Sequence, residues 1–151
     1  MNLRELCKPA VVTIREYDEL IKAAQVMRER HVGYLVVVEP KPLDARLKPI
    51  GVLTDRDLVV AVLAKNVDIH SLRVGDVMTR QPVTVDEEKS VGHALSQMRR
   101  IGVRRLPVVA TSGELVGVLS LDDIIDALAK DLTGVAGSIH SELRMEGALR
   151  Q

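Results

Sequence analysis

Two stretches decide how this chain is built: Gly51-Val52-Leu53-Thr54-Asp55-Arg56-Asp57 and Gly117-Val118-Leu119-Ser120-Leu121-Asp122-Asp123. Each is a short apolar run ending in a hydroxyl residue, with a carboxylate three residues further on. Such a run reads as a short buried strand. Ser/Thr-x-x-Asp resembles the capping box of a helix start, where side chains satisfy free backbone N–H groups. The same strand-to-helix junction therefore occurs twice, 66 positions apart.

Outward from the junctions the correspondence continues. Met1–Val38 aligns with Leu72–Val109 at an offset of 71. Val12-Thr13-Ile14 falls on Val83-Thr84-Val85, and Ala23, Met27 and Arg28 fall on Ala94, Met98 and Arg99. Val32, Leu35, Val37 and Val38 fall on Val103, Leu106, Val108 and Val109. The change of offset places an insertion between Glu39 and Pro49, carrying Pro40, Pro42 and Pro49, where a loop accommodates it. Matching blocks in the same order identify an internal repeat.

Each copy reads strand, helix, strand, strand, helix. Leu20, Ala23, Ala24 and Met27 form an apolar helical stripe, repeated by Val91, Ala94, Leu95 and Met98. Arg28 and Arg30, like Arg99 and Arg100, suit the negative end of a helix dipole, and Gly102 suits a C-terminal stop. Tyr34–Val38 and Arg105–Val109 are short strands rich in β-branched residues, and Thr111-Ser112-Gly113 forms a hairpin turn. The organisation expected is repeat 1 over 1–66, a linker over 67–71, repeat 2 over 72–131 and a partly helical tail over 132–151. Gly134, Gly137 and Gly147 interrupt that tail, which reads either as a frayed helix or as a packing arm for a second subunit. The fold class is α/β (α+β), two tandem β-α-β-β-α repeats. Neither copy alone has much surface to bury, so one shared core is expected.

Composition narrows the function classes. The 151 residues carry 21 Lys+Arg against 21 Asp+Glu, so the net charge is zero. A general nucleic-acid or acidic-membrane binder needs a basic excess. Tyr17 and Tyr34 are the only aromatics, which argues against single-strand binding by base stacking. Cys7 is the single cysteine, leaving no disulfide framework. No apolar run of leader length follows Met1, and none approaches the ~20 residues of a membrane span, so a cytoplasmic protein is expected. His31, His70, His93 and His140 are scattered without metal-ligand spacing. No nucleophile–base arrangement or phosphate-loop motif is present, so no enzyme, no metal site and no required cofactor are expected.

The duplicated pattern resembles the cystathionine-β-synthase (CBS) domain in its two-copy Bateman arrangement. The resemblance covers about residues 1–130. It rests on Asp76-Val77-Met78-Thr79 leading into Pro82-Val83-Thr84-Val85, on Arg104-Arg105-Leu106-Pro107-Val108-Val109, and on the two Gly-Val-Leu-Thr/Ser-x-x-Asp junctions. It implies two units packed by their sheets with pseudo-two-fold symmetry, two clefts between them, and pairing into a homodimer. It further implies an adenosine-containing ligand, AMP, ADP, ATP or S-adenosylmethionine. Asp57 and Asp123 would hold ribose hydroxyls, and Thr54 or Ser120 ribose or phosphate. Thr13 and Ile14, and likewise Val83 and Thr84, would frame the base.

A phosphate would fall to Arg104 or Arg105 beside Pro107. Strand alternation is expected to aim only one of these two arginines into the cleft. The first copy has Gly33 and Tyr34 at the equivalent positions, so Arg56 and His31 would have to compensate there. Output would pass through an unidentified effector protein or a change of oligomeric state. The alternatives are a ligand-free dimerisation or scaffold module, or a nucleic-acid binder using the Arg99–Arg105 edge. Apart from the resemblance, the two junctions amount to a duplicated cap that also suits anions.

Overall fold

The computed structural model describes residues 1–39 and 47–150; the insertion prolines Pro40 and Pro42 lie outside them. The elements run α1 (Leu3–Leu6), β1 (Thr13–Arg15), α2 (Leu20–Arg30), β2 (Tyr34–Val38), β3 (Pro49–Thr54) and α3 (Asp55–Leu58), which continues into a π-helical turn, Val59–Leu63. After a 3-10 turn, Ile69–Ser71, the second copy follows: α4 (Val74–Val77), β4 (Thr79–Arg80), β5 (Val85–Asp86), α5 (Val91–Ile101), β6 (Arg105–Val109), β7 (Leu115–Ser120) and α6 (Leu121–Leu149).

Two small sheets form, ordered β1-β2-β3-β4 and β5-β6-β7. In each, the first pair is parallel and the second antiparallel. The duplication extends to irregularities, since a register shift falls between Val37 and Val38 and again between Val108 and Val109. Helices α2 and α5 each end in a left-handed residue whose N–H returns to a methionine carbonyl, His31 to Met27 and Gly102 to Met98. Glycine adopts that conformation without cost, whereas His31 carries a Cβ there.

The lead-in of each copy is exchanged. Strand β4 opens the second copy yet pairs antiparallel with β3 of the first. Reciprocally, Lys8 pairs with Val118 of β7. The helical turns follow the strands: Val74 and Met78 are buried with Ile14, Leu20, Leu35 and Leu53, while Leu3 and Cys7 are buried with Val85, Leu106, Leu119 and Ile124. The single core expected from the chain length is therefore two clusters, each completed by a segment of the other copy. Val36, Val38 and Val109 are buried outside both clusters, on strand faces turned away from the helices.

The tail differs from the sequence expectation. Helix α6 runs unbroken for 29 residues through Gly134, Gly137 and Gly147. Each glycine costs about 1 kcal/mol relative to alanine, too little to end a helix alone. Of its residues only Ile124 is buried; Ile125, Leu128, Leu132, Val135, Ile139 and Leu143 are all exposed.

Candidate functional site

Both junctions fold as capping boxes. The Thr54 hydroxyl accepts from the Asp57 N–H at 3.1 Å, and Asp57 Oδ2 accepts from the Thr54 N–H at 2.8 Å. Ser120 and Asp123 repeat this at 3.0 and 3.1 Å. Each carboxylate thus commits one oxygen to its own helix start. The second oxygens differ. Asp57 Oδ1 has no hydrogen bond or ion pair among the described residues. Asp123 Oδ1 receives the Lys8 ammonium at 3.3 Å. Partial burial works against the Asp123 charge, but the Ser120 hydroxyl, the Ser120 N–H and Lys8 outweigh it and hold the carboxyl below its ordinary range.

Each junction borders a cleft between the copies. Cleft I, about 580 Å³, contains Thr54, Asp55, Arg56 and Asp57 of the first copy. Facing them are Gln81, Pro82 and Val83 from the second copy's lead-in, and Arg104, Arg105 and Pro107 from its β6 edge. Cleft II, about 290 Å³, contains Ser120, Asp122 and Asp123 with Lys8, Val11 and Val12 from the first lead-in. His31, Gly33 and Tyr34 complete it, with Arg105 at its border. Known small-molecule pockets span roughly 300–1,000 Å³, so cleft I has ligand size and cleft II lies just below.

This crosswise construction changes the assignment of the cations. The first copy's junction does not depend on its own Gly33 and Tyr34, because Arg104 and Arg105 of the second copy face it. His31, expected to compensate there, lines cleft II instead. Three arginines and two aspartates line cleft I. Both Arg104 and Arg105 reach it, contrary to the alternation argument: β6 begins at Arg105, and Arg104 lies in the bend before it. Arg104 also stands 3.4 Å from Asp122, both groups well exposed, a contact worth little in water.

Of the other nominated residues, Val83 and Pro107 line cleft I. Ile14 lines none of these cavities; it is buried in the first core, because alternation along β1 turns it inward. Thr13 lines a separate depression of about 490 Å³ with Pro9 and Val116, and Thr84 lines none of these cavities. Lys8 was missed. Its only sequence signal is that it aligns with Thr79, one step beyond the apolar pair Cys7 and Met78. Tyr34 was noted only as a departure from the basic pattern, yet its ring lies under the Arg105 guanidinium at 5.9 Å. Burial pushes the Tyr34 hydroxyl far above its ordinary range, with Arg105 pulling the other way.

Among the described residues no cluster of three or more His, Cys, Asp or Glu could hold a metal ion, and no helix is long and apolar enough to cross a membrane. Fold and clefts together define a duplicated α/β module with ligand-sized space between its halves. The chain belongs to the CBS domain family, whose model matches residues 3–64 and 74–130. Hypoxic response protein 1 of Mycobacterium tuberculosis is 34% identical over 121 residues, covering 80% of this chain and 80% of its own. An uncharacterised protein of Methanopyrus kandleri is 31% identical over 125 residues, 83% of this chain, which spans only 61% of that relative's length. A CBS domain protein of Pyrobaculum aerophilum, solved in complex with AMP, is 30% identical and superposes with a TM-score of 0.71, over 82% of this chain and 89% of that one.

Proposed function

We propose that this chain is a non-catalytic sensing module that holds an adenosine-containing nucleotide in cleft I. Asp57 Oδ1 takes the ribose hydroxyls, for which an acceptor-only carboxylate is suited. Thr54 contacts ribose or phosphate. Val83, Val52 and Pro107 supply aliphatic walls for the base, so no aromatic stacking is needed. Arg56, Arg104 and Arg105 receive the phosphate, where planar guanidinium groups bind in two-pronged fashion. The observation that carries the proposal is the convergence of these three cations, drawn from both copies, on the cleft whose aspartate keeps an uncommitted oxygen. The relative from P. aerophilum complexed with AMP supports the ligand class. Output passes to an effector protein, or to assembly, through whichever state the ligand favours.

The test is thermal unfolding with AMP, ADP, ATP and S-adenosylmethionine. Saturation at ~100 times Kd adds about 2.7 kcal/mol, a rise of roughly 5–10 °C for a chain of this size. Asp57→Ala lowers the rise far more than Asp123→Ala does. No shift with any of these compounds at millimolar concentration refutes the proposal.

Self-assembly is favoured by a separate observation. The exposed residues Ile125, Leu128, Leu132, Val135, Ile139 and Leu143 of α6 recur at steps of three, four, three, four and four residues on one face. An isolated helix is marginal in water, and an exposed apolar stripe along one helix face calls for a partner surface. The occupant we propose is α6 of a second copy, lying antiparallel. Asp122, Asp123, Asp126 and Asp131 make the first half acidic, while Glu142, Arg144, Glu146 and Arg150 balance in the second. Antiparallel pairing avoids stacking the two acidic halves. Light scattering gives a dimer for the unaltered chain and a monomer for a Leu132→Glu/Ile139→Glu variant; a monomeric unaltered chain refutes the pairing.

A further inference from the structure

Tyr34 and Arg105 occupy equivalent positions of the two copies, and they meet between the clefts. The guanidinium carbon stands 5.9 Å from the ring centroid. Each of the two residues lines both cavities. The Arg105 side chain is exposed and, among the described residues, forms no ion pair, whereas Arg104 is drawn to Asp122. One uncommitted cation therefore borders two spaces, and its fork can serve an anion on only one side at a time.

We propose that Arg105 is a single anion-binding residue held in common by the two clefts, so that anionic ligands in the two clefts compete for it and weaken each other. This rests on the nucleotide reading of cleft I. In the empty molecule the ring face of Tyr34 holds the guanidinium at the boundary through a modest cation–π attraction. A phosphate in cleft I forms stronger charge-assisted hydrogen bonds and draws Arg105 to its side. Cleft II is then left with Lys8, already engaged by Asp123, and with His31. Because binding free energies are reciprocal, an anion in cleft II weakens cleft I by the same factor. A neutral nucleoside makes no claim on Arg105 and produces no coupling.

The test is calorimetric titration of the full chain with AMP and with adenosine. Asp57→Ala leaves cleft II as the only functional cleft, which gives its affinity without a neighbour. In the unaltered chain, the same cleft binds AMP about tenfold more weakly once cleft I is filled. With adenosine the two affinities agree, and in Arg105→Gln they agree for AMP as well. Equal AMP affinities in the unaltered chain, equal coupling with adenosine, or coupling that survives Arg105→Gln would each overturn the proposal. If neither AMP nor adenosine binds at all, the nucleotide reading fails by itself. Arg105 is then examined with pyrophosphate and isotope-labelled tyrosine, since Tyr17 and Tyr34 are the only two aromatic residues. A Tyr34 ring resonance that moves in the unaltered chain but not in Arg105→Gln supports the shared anion site. A resonance that does not move overturns it.

Discussion

Replacing Gly117 with alanine tests whether the lead-in of the first copy is seated on the second sheet. A Cβ at this position would stand 2.7 Å from the Cys7 sulfur and 2.7 Å from the Lys8 carbonyl oxygen. One of these neighbours is backbone, so the segment must lift as a unit. Lifting it stretches the two 3.0 Å hydrogen bonds that Lys8 and Val118 exchange. Each such bond contributes about 0.5–1.5 kcal/mol net, and overpacking a tight site costs about 1–3 kcal/mol. These overlap, because the lift relieves the crowding, so a loss of about 2–3 kcal/mol is expected. At roughly 2 cal/mol/K per residue, that lowers Tm by about 6–10 °C.

The assay is thermal unfolding by circular dichroism, with a urea titration to confirm that the m-value is unchanged. Gly51→Ala is the internal control. There the nearest obstacle is the flexible Met78 side chain, at 2.7 Å to its sulfur, and the Thr79 carbonyl is 3.0 Å away. Gly51→Ala therefore costs less than Gly117→Ala. A Gly117→Ala protein that melts within about 1 °C of the unaltered chain, or a Gly51→Ala that costs as much, refutes the seating described here.

Two further outcomes follow from ionisation and burial. The Asp123 carboxyl is held below its unfolded value, so its stabilisation is present above about pH 4 and is lost as pH falls below that. Asp123→Asn keeps a cap acceptor and flattens that acid-side loss in urea midpoints; an unchanged slope contradicts the Lys8 and Ser120 contacts. Burial, the largest influence on Cys7, pushes its thiol up. A disulfide reagent at about pH 8 therefore modifies the folded chain far more slowly than the urea-unfolded one, and equal rates would show that Cys7 is not packed.

Much of the fold was legible because the repeat writes each element twice. Thr54 with Asp57, and Ser120 with Asp123, were readable as caps from their spacing, and the structure has both boxes closed. Arg104, Arg105 and Pro107 were readable as a cationic edge of a strand. What stayed hidden was partnership across the copies. Local periodicity reports which face of an element is apolar but not which distant element covers it. That is why Arg104 and Arg105 were not foreseen facing Thr54–Asp57 of the first copy, and why Lys8 passed unnoticed. Ile14 was nominated with Thr13 although neighbours on a strand point to opposite faces, and only parity could have separated them. Gly134, Gly137 and Gly147 suggested breaks, yet the flanking helix formers carry α6 across them.

The exchange of lead-ins has a consequence for how the two halves can diverge. Two separate one-repeat chains could make the same mutual embrace, each lending its first turn and strand to the other. Their symmetry would then place identical residues on both sides of the axis: tyrosine against tyrosine, or arginine against arginine with like charges opposed. Joining the copies covalently turns association into an intramolecular event with a high effective concentration, and it removes the requirement of identity. Tyr34 can then face Arg105, and Lys8 can stand where its counterpart is Thr79. Fusion, more than duplication, is what permits one scaffold to carry two unlike chambers.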